Sequence, residues 1–166
     1  VTYRLEPLAD HDLGKFTCGN DTLDDWLHRH AHTATGHGTR TYVLVGENSE
    51  VVGYVAIAPH HIVRTEVPPR IARGASERIP AILLAKLALD ASLHGQGLGS
   101  ELLVRALETI LDAARLAGGR LVVVDAVDEA AIAFYTHHDF QPVPGHTHRL
   151  VMKLSTAAKA LGQDWP

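Results

Sequence analysis

His94-Gly95-Gln96-Gly97-Leu98-Gly99-Ser100 sits between two segments of opposite character in this 166-residue chain. Before it, residues 82–90 are mostly apolar, too short for a confident helix and apolar on both faces, which predicts a buried central strand. After it, Leu98, Leu102, Leu103, Ala106, Ile110, Leu111, Ala114 and Ala117 recur every three or four residues until Gly118-Gly119 supplies a stop, predicting a long amphipathic helix. A glycine turn at the start of such a helix offers free amide groups and the positive end of the helix dipole to a phosphate, and lets the backbone come close. Two common phosphate loops fit poorly. A P-loop needs Gly-Lys-Ser/Thr, whereas Ser100 and Glu101 follow Gly99; a dinucleotide fingerprint starting at Gly95 needs Gly or Ala where Ser100 stands.

Outward from this turn, the pattern predicts mixed α/β structure. Residues 3–6 alternate like a short strand, and Asn20 or Asp21 can cap a helix with Leu23, Trp26, Leu27, Ala31 and Ala34 on one face. Residues 41–45 and 51–57 read as a hairpin joined by Gly46-Glu47-Asn48-Ser49-Glu50, with Pro59 as its stop. From there to Pro80, four prolines leave room for a loop and one short helix. Residues 121–126 predict a second buried strand, 128–138 a second helix and 150–154 a late strand. A β-α-β unit therefore lies at the centre. One domain over 1–154 is expected, with 155–166 as a C-terminal extension.

Composition narrows the classes. With 46% hydrophobic residues the chain can build a core without disulfides, and its one cysteine, Cys18, permits no internal bridge. No basic flank and apolar stretch opens the sequence and no apolar run reaches the ~18 residues of a membrane span. A soluble cytoplasmic protein without membrane contact is expected. A net charge of −4 argues against nonspecific nucleic-acid binding over the whole surface. Locally, the loop-like stretch 59–78 holds Arg64, Arg70, Arg73 and Arg78 against Glu66 and Glu77, and arginine suits bidentate phosphate contacts. A solvated loop is the plainer reading of the same residues.

The turn resembles the pyrophosphate loop of the GNAT acetyltransferases, Arg/Gln-x-x-Gly-x-Gly/Ala. The likeness extends in order through Leu87-Ala88-Leu89-Asp90, the long helix, Val122-Val123-Val124-Asp125 and Asp128-x-x-Ala131-x-x-x-Tyr135. Three positions depart from it: His94 stands for Gln or Arg, Asp128 for Asn, and Asp139 for the Gly that commonly precedes Phe. The resemblance implies a GNAT fold with a mixed central β-sheet flanked by helices. It also implies that Leu87, Leu89, His94, Gly95, Gln96, Gly97, Leu98, Gly99, Ser100, Asp128 and Ala131 hold acetyl-CoA, and that Tyr135 is the general acid. No carboxylate stands out as a base. An α-amine needs none, since about a tenth is neutral at pH 7 against under about one part in a thousand for lysine.

Phe16-Thr17-Cys18-Gly19-Asn20-Asp21-Thr22-Leu23-Asp24-Asp25-Trp26-Leu27 resembles the Phe-x-Cys-Gly…Leu-Asp-x-aromatic-Leu opening of TacT-type toxins. Thr39-Arg40-Thr41-Tyr42-Val43, Val52-Gly53-Tyr54, Ile79-Pro80 and Phe134-Tyr135 extend that likeness. This branch implies an aminoacyl-tRNA acceptor, glycyl-tRNA among the candidates, and a block of translation. It further implies a homodimer, a ribbon-helix-helix antitoxin, and contact with operator DNA only through the toxin-antitoxin complex. Arg40, Arg64, Arg70, Arg73 and Arg78 become candidates for tRNA phosphates. Two alternatives stay open: a GNAT enzyme for a small-molecule amine or protein N-terminus, marked by turnover without RNA, and a non-catalytic protein that holds acetyl-CoA or an antitoxin. Twelve histidines, three of them in His28-x-His30-x-His32, make no recognised metal set with Cys or carboxylate, so no metal is expected. Cys18 is expected as a small buried residue, because direct amine attack needs no covalent intermediate.

Overall fold

The structure is a computed structural model that describes residues 2–166. Along the chain β1 is Arg4–Pro7, α1 Asp21–Asp25, α2 Ala31–Gly36, β2 Arg40–Val45, β3 Val51–Val63, α3 Pro69–Ala72 and β4 Arg78–Leu89. Then follow α4 Leu98–Ala117, β5 Leu121–Asp125, α5 Glu129–His137, β6 Gln141–Pro142, β7 Arg149–Lys153 and α6 Leu154–Ala160. The seven strands are hydrogen-bonded in the order β1-β2-β3-β4-β5-β7-β6, the mixed sheet expected of the fold. The chain divides into two compact units, residues up to Ala58 with Ala85–Ala106, and Pro59–Leu84 with Leu107–Pro166.

In the first unit, β1 and β3 flank β2 in antiparallel register, from Arg4↔Val45 and from Arg40↔Ile57. Its core gathers Phe16, Leu23, Leu27, Ala31, Val43, Val45, Tyr54 and Ala88, each large side chain contributing about 1.5–3 kcal/mol by leaving water. The Asn20 side chain accepts from the Leu23 amide and caps α1. The expected single helix is interrupted: Trp26–His30 form a π-helical turn closed by the Ala31 amide on the Trp26 carbonyl. The wider turn keeps Leu23, Leu27 and Ala31 buried while Trp26 lies half-buried, stacked at 5.9 Å on Tyr54. Gly53 is required by space, since a Cβ there would stand 3.2 Å from the Ala88 carbonyl oxygen.

The second unit corrects two expectations. Pro59 does not stop its strand, and β3 continues to Val63. The β2 ladder ends at Arg40↔Ile57, so Pro59 lies past it, where no amide is needed on that side. Nor is Pro80 the end of a loop. It lies within β4, one residue before the parallel ladder with β5 begins at Ala81↔Leu121, and its carbonyl still accepts from the Arg120 amide at 2.8 Å. The segment read as a loop with one short helix does hold that helix, α3, but the rest is a strand end, one 3-10 turn at Arg64–Glu66 and the start of a strand.

Ile62, Val67, Ile71, Ile79, Leu121, Val123, Val143 and Val151 form the core of this unit. β7 pairs antiparallel with β5 and with the short β6, which the sequence reading did not foresee. Residues 155–166, expected as an extension, carry most of α6, whose Ala157 and Ala158 are buried. Beyond it the chain lies against α4: Arg115 donates to the Gln163 side chain at 2.7 Å and to the Asp164 carbonyl, with its guanidinium over Trp165.

Candidate functional site

The β4-to-α4 connection is built entirely within the first unit. β4 ends at Leu89, and Asp90 caps a 3-10 turn over Ala91–Leu93, accepting from the Ser92 amide and hydroxyl on one oxygen. Gly95 and Gly97 follow with φ of +79° and +78°, in the left-handed region that costs an L-residue about 1–2 kcal/mol. A Cβ at either glycine would meet nothing within 4 Å, so their role is conformational and the space above the backbone is open. α4 then starts at Leu98 and runs 20 residues, long enough for a full macrodipole. Residues 94–97 are exposed; Leu98, Gly99 and Ser100 are half-buried. The arc of glycines thus leaves its backbone open at the start of the helix.

His94 replaces the family's Gln or Arg, and its ring is engaged locally. Its Nε2 lies 2.8 Å from the Leu89 carbonyl oxygen, so that nitrogen carries the proton and donates. His94 thus ties the end of β4 to the near end of the glycine arc.

Tyr135, Asp128 and Ala131 lie together in the second unit. Asp128 caps α5 by accepting from the Ala131 amide at 2.8 Å, a task Asn could perform equally well. Tyr135 is buried, with Phe134 at 5.3 Å and Phe140 at 5.4 Å, both edge-on. Burial pushes its phenol well above the ordinary value. The helix closes through the Phe140 amide on the Tyr135 carbonyl, with Asp139 at φ +69°. That angle explains why the family pattern carries Gly there: the position is left-handed, and Asp is among the few residues that tolerate it.

The arginines are spread across different elements. Arg64 is in the 3-10 turn, Arg70 in α3, Arg73 at its C-cap and Arg78 at the first residue of β4, all exposed in the second unit. Arg40 opens β2 in the first, its guanidinium donating to the Thr35 and Thr39 carbonyls. Cys18 is buried and its thiol is pushed up to about 11, by burial first and by the Asp24 carboxylate second, which matches a packing residue. Among the described residues, no group of three or more His, Cys, Asp or Glu is placed to hold a metal ion.

Three polar residues escaped sequence reading. Asp90 was visible only as the end of a strand, although Asp-x-Ser is the signal of an Asx-type cap. Arg149 and His60 carried no motif; in the second unit Arg149 grips both Asp125 oxygens at 2.8 and 2.9 Å, and its Nη1 lies 3.3 Å from His60 Nε2.

The acetyltransferase (GNAT) domain model matches residues 38–142. A protein of Mycobacterium tuberculosis called tRNA-acetylating toxin is 32% identical over 151 residues, covering 91% of each chain. Among solved structures, AtaT complexed with acetyl-methionyl-tRNAfMet aligns with a TM-score of 0.86 at 26% identity, over 98% of this chain and 100% of that one. A tyrosine-to-phenylalanine mutant of AtaT, bound to the C-terminus of the antitoxin AtaR and acetyl-CoA, aligns with a TM-score of 0.82 at 27% identity, over 97% and 99%. The chain belongs to the GNAT acetyltransferase family, in its TacT-like toxin branch.

Proposed function

We propose that this N-acetyltransferase moves the acetyl group of acetyl-CoA to the α-amine of an aminoacyl-tRNA and so acts as a toxin that blocks translation, neutralised by a ribbon-helix-helix antitoxin. The observation that carries this reading is the likeness to a tRNA-acetylating toxin over 91% of both chains, a span that takes in the N-terminal signature, the glycine arc and Tyr135. The solved complexes of AtaT, one with an acetylated aminoacyl-tRNA and one with an antitoxin and acetyl-CoA, support the same acceptor, donor and partner class. Glycyl-tRNA and a homodimer are the finer expectations of the branch.

In this reading Leu87, Leu89 and residues 94–100 cradle the donor, with Asp128 and Ala131 ordering the start of the helix that carries Tyr135. Bound acetyl-CoA supplies an activated thioester. A neutral α-amine attacks its carbonyl carbon, and Tyr135 gives its proton to the sulfur as the carbon–sulfur bond breaks; the amine's surplus proton leaves to water, and water returns one to the Tyr135 phenolate, so that the amide and free coenzyme A are the products. A phenol suits this step because it is uncharged and still holds its proton when negative charge develops on the sulfur beside it. The exposed guanidinium groups of Arg64, Arg70, Arg73 and Arg78 are the proposed partners of tRNA phosphates, together with Arg40.

The test is transfer of labelled acetyl from acetyl-CoA to total charged tRNA, with deacylated tRNA and Tyr135→Phe as controls. Label on charged tRNA alone, lost in the mutant, is the expected result. Absence of label from both RNAs, with turnover on a small amine or a peptide N-terminus, would overturn the acceptor assignment.

A further inference from the structure

The TacT-type signature at residues 16–27 carries no group that the chemistry above uses, yet it is joined by hydrogen bonds to the start of the glycine arc. Thr17 is held at both backbone atoms. Its amide donates to Asp90 Oδ1 at 3.1 Å, and its carbonyl accepts from the Ala91 amide at 2.8 Å. The second oxygen of Asp90 takes the Ser92 amide and hydroxyl at 3.1 and 2.6 Å. Thr17 is in turn fixed by Asp24 in α1, whose Oδ2 accepts from the Thr17 hydroxyl at 2.9 Å and whose Oδ1 accepts from the Cys18 amide at 2.8 Å. The packing around this strap is firm: Phe16 and Cys18, its neighbours in sequence, are buried in the first-unit core. Two carboxylates therefore connect α1 to the turn that launches residues 94–97, and His94 closes the far side on the Leu89 carbonyl.

We propose that Asp24, Thr17 and Asp90 are positioning residues for the donor's diphosphate: the signature fixes where the glycine arc begins, and so where its amides point. The inference rests on the acetyl-CoA reading of that arc. Its physical basis is that amides bind an anion well only when they already converge, since ordering a flexible loop at the moment of binding subtracts from affinity. Asp24→Asn keeps the shape and can keep the Cys18 bond on its remaining oxygen, but the nitrogen it sets against the Thr17 hydroxyl donates, which reverses that bond and removes the charge that strengthened both.

The experiment is calorimetric titration with acetyl-CoA of the wild type, Asp24→Asn, Thr17→Val and Gly97→Val, with S-acetylpantetheine, which lacks the diphosphate, as a competing probe. Asp24→Asn is expected to raise the Kd for acetyl-CoA about tenfold and to shrink the preference for acetyl-CoA over S-acetylpantetheine. A merely structural role would not move that ratio. Thr17→Val, which removes one hydroxyl from an exposed residue, is expected to show a smaller loss in the same direction, and it serves where Asp24→Asn fails to fold. Weakening by Gly97→Val alone, with both strap variants binding as wild type, would overturn the strap. Unchanged affinity in all three would overturn the diphosphate arc and the strap with it.

Discussion

Each unit buries a tyrosine, and the two teach what burial does and does not mark. Tyr54, in the first unit, is fully buried and donates its hydroxyl to the Leu23 carbonyl at 2.6 Å. Tyr135, in the second, is surrounded by the edges of Phe134 and Phe140. Burial raises both phenols far above their ordinary value. A perturbed phenol is therefore no signature of an acid by itself. Tyr54 spends its proton on a backbone carbonyl at a helix end, where the bond holds α1 against β3, whereas Tyr135 is the residue proposed above as the donor.

The sharpest way to break this contrast is the pair of Phe substitutions. Tyr135→Phe is expected to lower turnover by on the order of 10²–10⁴ with a melting temperature close to wild type. Tyr54→Phe is expected to cost about 1–2 kcal/mol of stability, read as a fall of about 2–4 °C in Tm per kcal/mol, with most activity kept at low temperature. Lost turnover in Tyr54→Phe at an unchanged Tm would erase the distinction. A smaller effect sharpens the picture of the turn behind Tyr135. Asp139→Gly should raise the denaturation midpoint by the equivalent of about 0.5 kcal/mol, because relief of a left-handed residue exceeds the added freedom of glycine in the unfolded chain. A destabilised variant would mean that the Asp139 side chain contributes more than its backbone angle costs.

The smallest expected effect concerns His60. Burial, and then the Arg149 cation, hold its imidazole below the usual value, against the opposing pull of Asp125 and Glu66; His61 adds a further lowering. A depressed folded value means that the neutral ring is favoured in the native state, so stability is present above about pH 6.5 and is lost as pH falls through the folded value. Tm measured from about pH 7.5 to about pH 5.5 should fall less steeply in His60→Gln than in the wild type. Parallel curves would show that the ring titrates alike in both states.

How far the sequence could be read follows from the range of the interactions involved. The helix α4 and the strand β5 were legible because their burial repeats locally, at 3.6 residues or as an unbroken apolar run. The glycine arc was legible because left-handed angles demand glycine at Gly95 and Gly97. Pro59 and Pro80 misled because a proline's tolerance depends on whether a neighbouring strand needs its amide, which is a property of the sheet. Thr17 and Asp90 were silent for a similar reason: 73 residues separate them, and nothing near either one names the other.

Cys18 has a practical consequence. It is the chain's one thiol, and at about 11 it holds almost no thiolate at neutral pH, so a thiol reagent added to the folded enzyme reacts with released coenzyme A and hardly with the protein. When the segment that carries Cys18 opens, the same thiol becomes reactive. The chain thus contains its own clock for the loosening of its N-terminal signature, readable without any label being introduced.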